Sequence, residues 1–79
     1  MVRKIKKYWV IKSTFYIKSP LDFGYKEEKI KHFSNLTDAC WWAENNISKY
    51  IMKKDKNTYL QVVADFGDNK NYVLSSYTL

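Results

Sequence analysis

The sequence predicts an α+β domain in which an antiparallel β-sheet of three or four strands packs one face against a single α-helix. Three observations support this class. Apolar residues alternate with period two in residues 8–17, and two further strands, 58–66 and 71–78, flank a turn at 67–70. Residues 36–51 instead repeat their apolar positions with the period of a helix. The chain holds only two Gly and one Pro among 79 residues, which indicates one ordered domain over 1–79 with a modest core.

The first predicted strand covers residues 8–17, and its alternation divides it into two faces. Trp9, Ile11, Phe15 and Ile17 fall on one face, while the other carries Tyr8, Val10, Lys12, Thr14, Tyr16 and Lys18. One helix can cover only one face of the sheet, so the second face meets water or a partner. We expect the face with the tyrosines and lysines to be the open one.

The remaining elements follow in the order short strand, helix, strand, strand. A turn is predicted at 19–24, and the ambiguous segment 25–33 is interpreted as a short edge strand around 27–32. Ser34 or Asn35 caps a helix of about eighteen residues. The predicted core stripe of that helix is Leu36, Ala39, Cys40, Ala43, Ile47, Tyr50 and Ile51. Strands at 58–66 and 71–78 form a hairpin around a turn at 67–70, and residues 1–5 are expected to form a flexible basic arm.

The composition argues against catalysis. The chain has one cysteine and one histidine, and neither has a partner at metal-ligand spacing. Cys40 falls within the apolar stripe of the helix, where a thiol acts as a small hydrophobic group. No glycine-rich phosphate loop is present. We therefore predict a protein that is not an enzyme, with no catalytic residues, no metal site and no cofactor.

The sequence also indicates a compartment and a type of genome. It has no secretory signal pattern and no apolar run near the ~20 residues of a membrane span. With a single cysteine, this predicts a cytoplasmic protein without a membrane partner. Thirteen Lys against one Arg is typical of AT-rich coding DNA, such as that of a low-GC bacterium or its phages.

The first candidate surface is the basic N-terminal strand. Six positive charges and no acid lie in the first eighteen residues, which equals the net charge of +6. Lysines beside aromatic rings are the composition that binds phosphates and stacks on bases. The alternative is an ordinary solvated sheet face in a lysine-rich chain. The predicted contacts with nucleic acid or an acidic partner are Arg3, Lys4, Lys6, Lys7, Tyr8, Lys12, Tyr16 and Lys18.

The second candidate surface is the outer side of the helix. Trp41 and Met52 lie about 140° and 160° from the core stripe on a helical wheel. Asn45 and Ser48 lie between them. Tryptophan and methionine are typical of protein interfaces. The alternative is that Trp41 lies flat over the 19–33 segment, whereas Trp42 is expected to border the core.

These observations predict a small basic interaction protein that docks on a larger protein or nucleoprotein partner. The small size, the residue usage and the lack of catalytic groups would suit a phage-encoded inhibitor of a host defence complex, of the anti-CRISPR type, although no family motif supports this. Direct, sequence-nonspecific nucleic-acid binding is the alternative function. Homodimerisation through Trp41 is a variant of the first hypothesis.

Overall fold

The protein folds into one four-stranded antiparallel sheet with one α-helix packed against it, which confirms the predicted α+β class. The computed structural model describes residues 4–54, 56–68, 70 and 72–79. The elements are β1 (Lys7–Ser19), β2 (Asp22–Phe33), α1 (Leu36–Tyr50), β3 (Thr58–Asp65) and β4 (Tyr72–Tyr77). The strands lie in the order β2-β1-β3-β4. Within the described residues, no helix combines the length and apolarity that crossing a membrane requires.

The main core lies between α1 and the two central strands. In the register of β1 and β3, Val10 lies opposite Val62, so both side chains point to the same side of the sheet. This side faces the helix, and we call it the covered face. Its buried residues are Val10, Leu60 and Val62 from the sheet and Ala39, Ala43, Ile47 and Ile51 from the helical segment. The small alanines let the helix approach the sheet closely.

The face assignment predicted for β1 is wrong. The set that contains Tyr8, Val10 and Lys12 lies on the covered face, whereas Trp9 and Ile11 lie on the open one. Both sets of alternating residues contain apolar side chains, so alternation alone does not decide which set the helix covers. The inner side of α1 is lined by alanines, and Val10 fits beneath it where the Trp9 indole would be too large.

The helix begins as predicted but ends earlier. The Asn35 side chain accepts a hydrogen bond of 2.8 Å from the backbone N–H of Asp38, which confirms Asn35 as the N-cap. The helix has 15 residues rather than about eighteen. Ile51 is extended, with φ −129° and ψ 131°, and turns its side chain into the core. Met52 therefore lies beyond the end of the helix. The helical-wheel prediction that placed Met52 on the outer helix face does not apply to it.

Strand β2 is twice as long as the predicted edge strand around 27–32. The chain turns within Pro20–Leu21, and pairing resumes at once between Ser19 and Asp22. Gly24, which the sequence suggested as a turn residue, instead pairs with Tyr16. The register shifts by one residue opposite Val10 and Ile11. The extra residue, Ile30, packs against the main core.

The β1–β2 hairpin extends past the rest of the sheet. Strand β3 pairs with β1 only as far as Thr14, and a backbone hydrogen bond of 2.9 Å from Phe15 to Asn57 closes that end. Residues 16–24 therefore continue as a two-stranded ribbon, which we call the hairpin tip. At about 3.3 Å per residue, the strands of the tip run some 15 Å beyond their last contact with β3.

Candidate binding surface

The second face of the sheet is the largest surface without a helix, and we call it the open face. Every side chain placed there follows from the strand register. Among the described residues, the only helix lies on the other side. The open face carries Lys7, Trp9, Ile11, Ser13, Phe15 and Ile17 of β1, Phe23, Tyr25, Glu27, Lys29 and His32 of β2, Tyr59, Gln61, Val63 and Asp65 of β3, and Val73 and Ser76 of β4.

The centre of the open face is buried although no helix covers it. Ile11 is 1% exposed and Val63 is fully buried, and neither belongs to the core cluster under the helix. Across the strands, Ile11 is flanked by Lys29 and Gln61. Longer side chains of neighbouring strands can lie across these two residues. The open face thus has a small apolar centre of its own, with polar and charged side chains around it.

One end of this face carries a cluster of rings and charges, which we call the tryptophan cluster: Lys7, Trp9, Lys29, His32 and Asp65. The Trp9 indole N–H donates a hydrogen bond of 3.2 Å to the Asp65 carboxylate. The His32 ring meets the indole nearly edge-on, with 5.0 Å between centroids. The ammonium groups of Lys7 and Lys29 lie 5.3 and 4.8 Å from the indole centroid, within cation–π distance.

Asp65 is the acid of the cluster, and its environment keeps it ionised. The backbone N–H of Gly67 donates a hydrogen bond of 2.7 Å to its second carboxylate oxygen. This bond, the bond from Trp9 and the nearby lysine charges lower the pKa of Asp65 below its usual value, against a smaller opposing effect of desolvation. Asp65 therefore fixes the indole while both of its oxygens accept hydrogen bonds.

The hairpin tip and its approach form the other end of the open face. Phe15 and Tyr25 pack at 5.2 Å between ring centroids. Beyond them, Ile17 is 66% exposed and Phe23 63%, and the turn residue Leu21 is 97% exposed. Adjacent apolar side chains exposed in this way make the hairpin tip a candidate contact surface.

The structure separates the residues predicted for nucleic-acid or acidic-partner contact. Of these, only Lys7 belongs to the tryptophan cluster. Tyr8 is half-buried beside the main core, and the Tyr16 ring lies under the Lys26 ammonium at 5.7 Å. Lys12 is half-buried on the covered face, Lys4, Lys6 and Lys18 are exposed, and Arg3 lies outside the described residues. Their role in binding remains a prediction.

The residues predicted on the outer helix surface are exposed, but they do not form a continuous helical stripe. Trp41 is 64% exposed, and its carbonyl accepts a hydrogen bond of 2.7 Å from the Asn45 side chain. Ser48 is exposed on the same helix, whereas Met52 follows the helix end and is 61% exposed. Trp42 borders the core as predicted: its ring packs against Phe33 at 6.0 Å and Tyr50 at 5.8 Å.

Sequence reasoning missed the contribution of β2 to the open face. Lys29, His32, Tyr25 and Phe23 lie in a segment whose pattern was ambiguous, and only the register brings them beside Trp9 and Phe15. The available signal was the spacing of Phe23 and Tyr25, two aromatic residues two positions apart and therefore on one face of a strand.

The described residues do not bring together three His, Cys, Asp or Glu side chains that could hold a metal ion. Cys40 is half-buried, and its sulfur lies 3.9 Å from the Ser75 hydroxyl on the covered face. The open face itself carries rings, aliphatic side chains and charged groups.

The comparisons with known proteins add no relative, since no protein-family model, no curated protein and no solved structure matches this chain.

Proposed function

We propose that this protein is a non-enzymatic binding protein that docks on a larger partner protein through its hairpin tip. The observation that carries the proposal is the exposure of Leu21, Ile17 and Phe23, at 97%, 66% and 63%, on a ribbon that extends beyond the sheet. Tyr25, also 63% exposed, continues this apolar surface towards Phe15.

Folding of the monomer does not account for this surface. A two-stranded ribbon without a third strand is marginal in water, and exposed apolar side chains at its end add nothing to the core. Burial against a partner would contribute roughly 25 cal/mol for each Å² of apolar area removed from water. Large aromatic and aliphatic side chains are also the residues that anchor protein interfaces.

The charge of the whole chain favours an acidic partner. The tip itself is balanced, since Lys18 near the end of β1 and Asp22 at the start of β2 are both exposed. The Lys26 ammonium lies over the Tyr16 ring, on the face of the ribbon away from Ile17 and Phe23. With a net charge of +6, the whole chain would be steered towards a negatively charged surface. An apolar pocket with acidic residues at its rim is the complementary surface, and a protein of a nucleoprotein complex would fit this description. Inhibition of a host defence complex is one function that such docking would serve.

The test is site-specific photo-crosslinking in lysate of the host cell, after nuclease treatment. The photoreactive residue p-benzoylphenylalanine replaces Leu21 in one variant and Trp41 in another. We expect the residue at position 21 to link one partner protein in good yield, because it would lie inside the interface. Position 41 samples the helix surface predicted from the sequence, and it should link that partner weakly.

A matched pair of substitutions checks the chemistry of the contact. Ile17→Ser with Phe23→Ser should abolish capture of the linked protein, whereas Leu36→Ser, at an exposed apolar position on the helix, should preserve it. Circular dichroism should show that both variants are folded. Capture that survives the double substitution but is lost with Trp41→Ala would refute docking through the tip and assign it to the helix.

A further inference from the structure

We propose that the tryptophan cluster is a second binding site, which holds single-stranded nucleic acid: Lys7 and Lys29 bind phosphates while Trp9 and His32 contact a base. This site lies at the opposite end of the open face from the hairpin tip. It goes beyond the docking function proposed above and does not depend on it.

The indole is held in place before any ligand arrives. Its N–H is bonded to Asp65 at 3.2 Å, and Asp65 is itself bonded to the Gly67 backbone at 2.7 Å. The His32 ring meets the indole at an interplanar angle of 62°. A ring with fixed orientation loses little conformational freedom on binding, which is the advantage of a preorganised site.

The charges around the ring favour a phosphate chain. The Lys7 and Lys29 ammonium groups lie over the same indole ring, 5.3 and 4.8 Å from its centroid, so a stacking base would take their place over the ring while they pair with its phosphates. Asp65, the acid of the cluster, already accepts two hydrogen bonds from uncharged donors. The Lys6 backbone N–H donates to the Asp65 carbonyl at 2.7 Å, which brings the adjacent Lys6 to the same end of the sheet. Exposed Lys4 precedes it.

The extent of the cluster limits the size of the site. Along β1 it runs from Lys7 to Ile11, the residue that lies opposite Lys29. At about 3.3 Å per residue, these four steps span some 13 Å. The site is therefore short, with room for about one to three nucleotides.

The rings favour single strands over duplex. In a duplex the faces of the bases are stacked, and only their edges and the backbone are reachable from the grooves. Unpaired bases can stack on protein rings, with a gain of about 1–3 kcal/mol per base. An acidic peptide would use the two lysines but would leave the indole without a stacking partner, and this difference can be measured.

The experiment uses the full chain with Trp41→Phe and Trp42→Phe, so that Trp9 is the remaining indole. Fluorescence of Trp9 and anisotropy of a labelled ten-nucleotide oligo-dT are followed during titration, with oligo-U and a ten-base-pair duplex in parallel. We expect both single strands to quench Trp9, and the duplex to bind more weakly without quenching. Affinity for oligo-dT should fall with salt at a slope of about −0.7 per neutralised phosphate.

Three variants assign the effect to the cluster. Trp9→Ala should weaken binding about five- to a hundredfold, as expected for one stacked base. Lys7→Ala with Lys29→Ala should reduce the magnitude of the salt slope by about 1.4, which corresponds to two phosphates. Lys53→Ala with Lys54→Ala removes the same charge from the exposed segment after the helix and should leave that slope nearly unchanged.

The site is refuted if the Lys53 and Lys54 variant weakens binding as much as the Lys7 and Lys29 variant, since that indicates only diffuse attraction. Binding without quenching of Trp9, displaced equally by a poly-glutamate peptide, refutes it in favour of an acidic ligand. Absence of binding at 20 mM salt refutes it outright. The Ile17→Ser and Phe23→Ser variant should bind oligo-dT normally, which separates this outcome from failure of the docking proposal.

Discussion

The two faces of the sheet bury apolar residues in different ways. On the covered face, Val62 is sealed by side chains of another element, chiefly the alanines and isoleucines of the helical segment. On the open face, Val63 is equally inaccessible, but its surroundings come from adjacent strands: Trp9 on β1 and Val73 on β4. These two adjacent residues of β3 are therefore buried in different ways. Val62 lies between the sheet and the helix, whereas Val63 is covered by side chains of the sheet itself.

The comparison explains where binding groups can collect. A sealed interior needs small or aliphatic side chains that pack closely, and rings with polar ends fit poorly there. On a sheet face without a helix, long side chains lie across the central residues, and the outer surface of these long side chains stays in contact with water. Trp9, which lies opposite Val63, and Lys29, which lies opposite Ile11, can thus shield these residues, with the Lys29 ammonium 4.8 Å from the centroid of the indole ring. The side chains that shield the centre of this face are thus the ones that we propose for binding.

The largest expected effect comes from truncating the two adjacent valines. Val62→Ala should lower the free energy of unfolding by about 2–3 kcal/mol, because a cavity under the helix cannot collapse fully. Val63→Ala removes the same two carbon atoms but should cost only about 1 kcal/mol, since the overlying side chains can settle into the space. Urea denaturation measures both. Equal losses would mean that the open face is as rigidly sealed as the covered one.

A smaller effect is expected at the helix start. The Asn35 side chain accepts from the Asp38 backbone N–H and donates to the Asp38 carboxylate, both at 2.8 Å. Asn35→Ala should cost about 1 kcal/mol of stability, because the first turn loses its cap. Asn35→Ser keeps an acceptor without placing a second carboxylate against that of Asp38, and it should recover most of that loss. Hydrogen exchange should quicken in α1 first, and a variant that loosened β2 before α1 would contradict the role of the helix as a separate cover.

Much of the fold could be predicted from the sequence, because the period of apolar residues distinguishes strands from a helix. The order of elements and the Asn35 cap were confirmed. The covered face could not be predicted, since either alternating set of β1 could have filled a core and only the packing of Ala39 and Ala43 decides between Val10 and Ile11. The tryptophan cluster was also out of reach: a bulge at Ile30 sets which lysine of β2 lies beside Trp9.

The smallest expected effects are changes of stability with pH. A group on the open face should change stability at acid pH, and a group on the covered face should change it at alkaline pH. The Gly67 and Trp9 hydrogen bonds lower the pKa of Asp65 below 3.8, so its contribution to stability is present above that pH. The contribution is lost as pH falls through the lowered value. The difference in unfolding free energy between the wild type and Asp65→Asn should therefore be constant from pH 7 to 5 and shrink towards pH 2. A difference unchanged at pH 2 would contradict ionisation as its origin.

The covered face supplies the matched control at alkaline pH. A hydrogen bond with the Cys40 thiol, together with burial, raises the pKa of Tyr77 above 10.0. Its contribution is therefore complete below that pH and is lost as pH rises through the raised value. Tyr77→Phe should alter the alkaline limb of the stability profile and leave the acid limb as in the wild type, while Asp65→Asn should do the reverse. If either substitution altered both the acid and the alkaline limb of the stability profile, titration on one face of the sheet would affect the other. The two faces would then not be electrostatically independent.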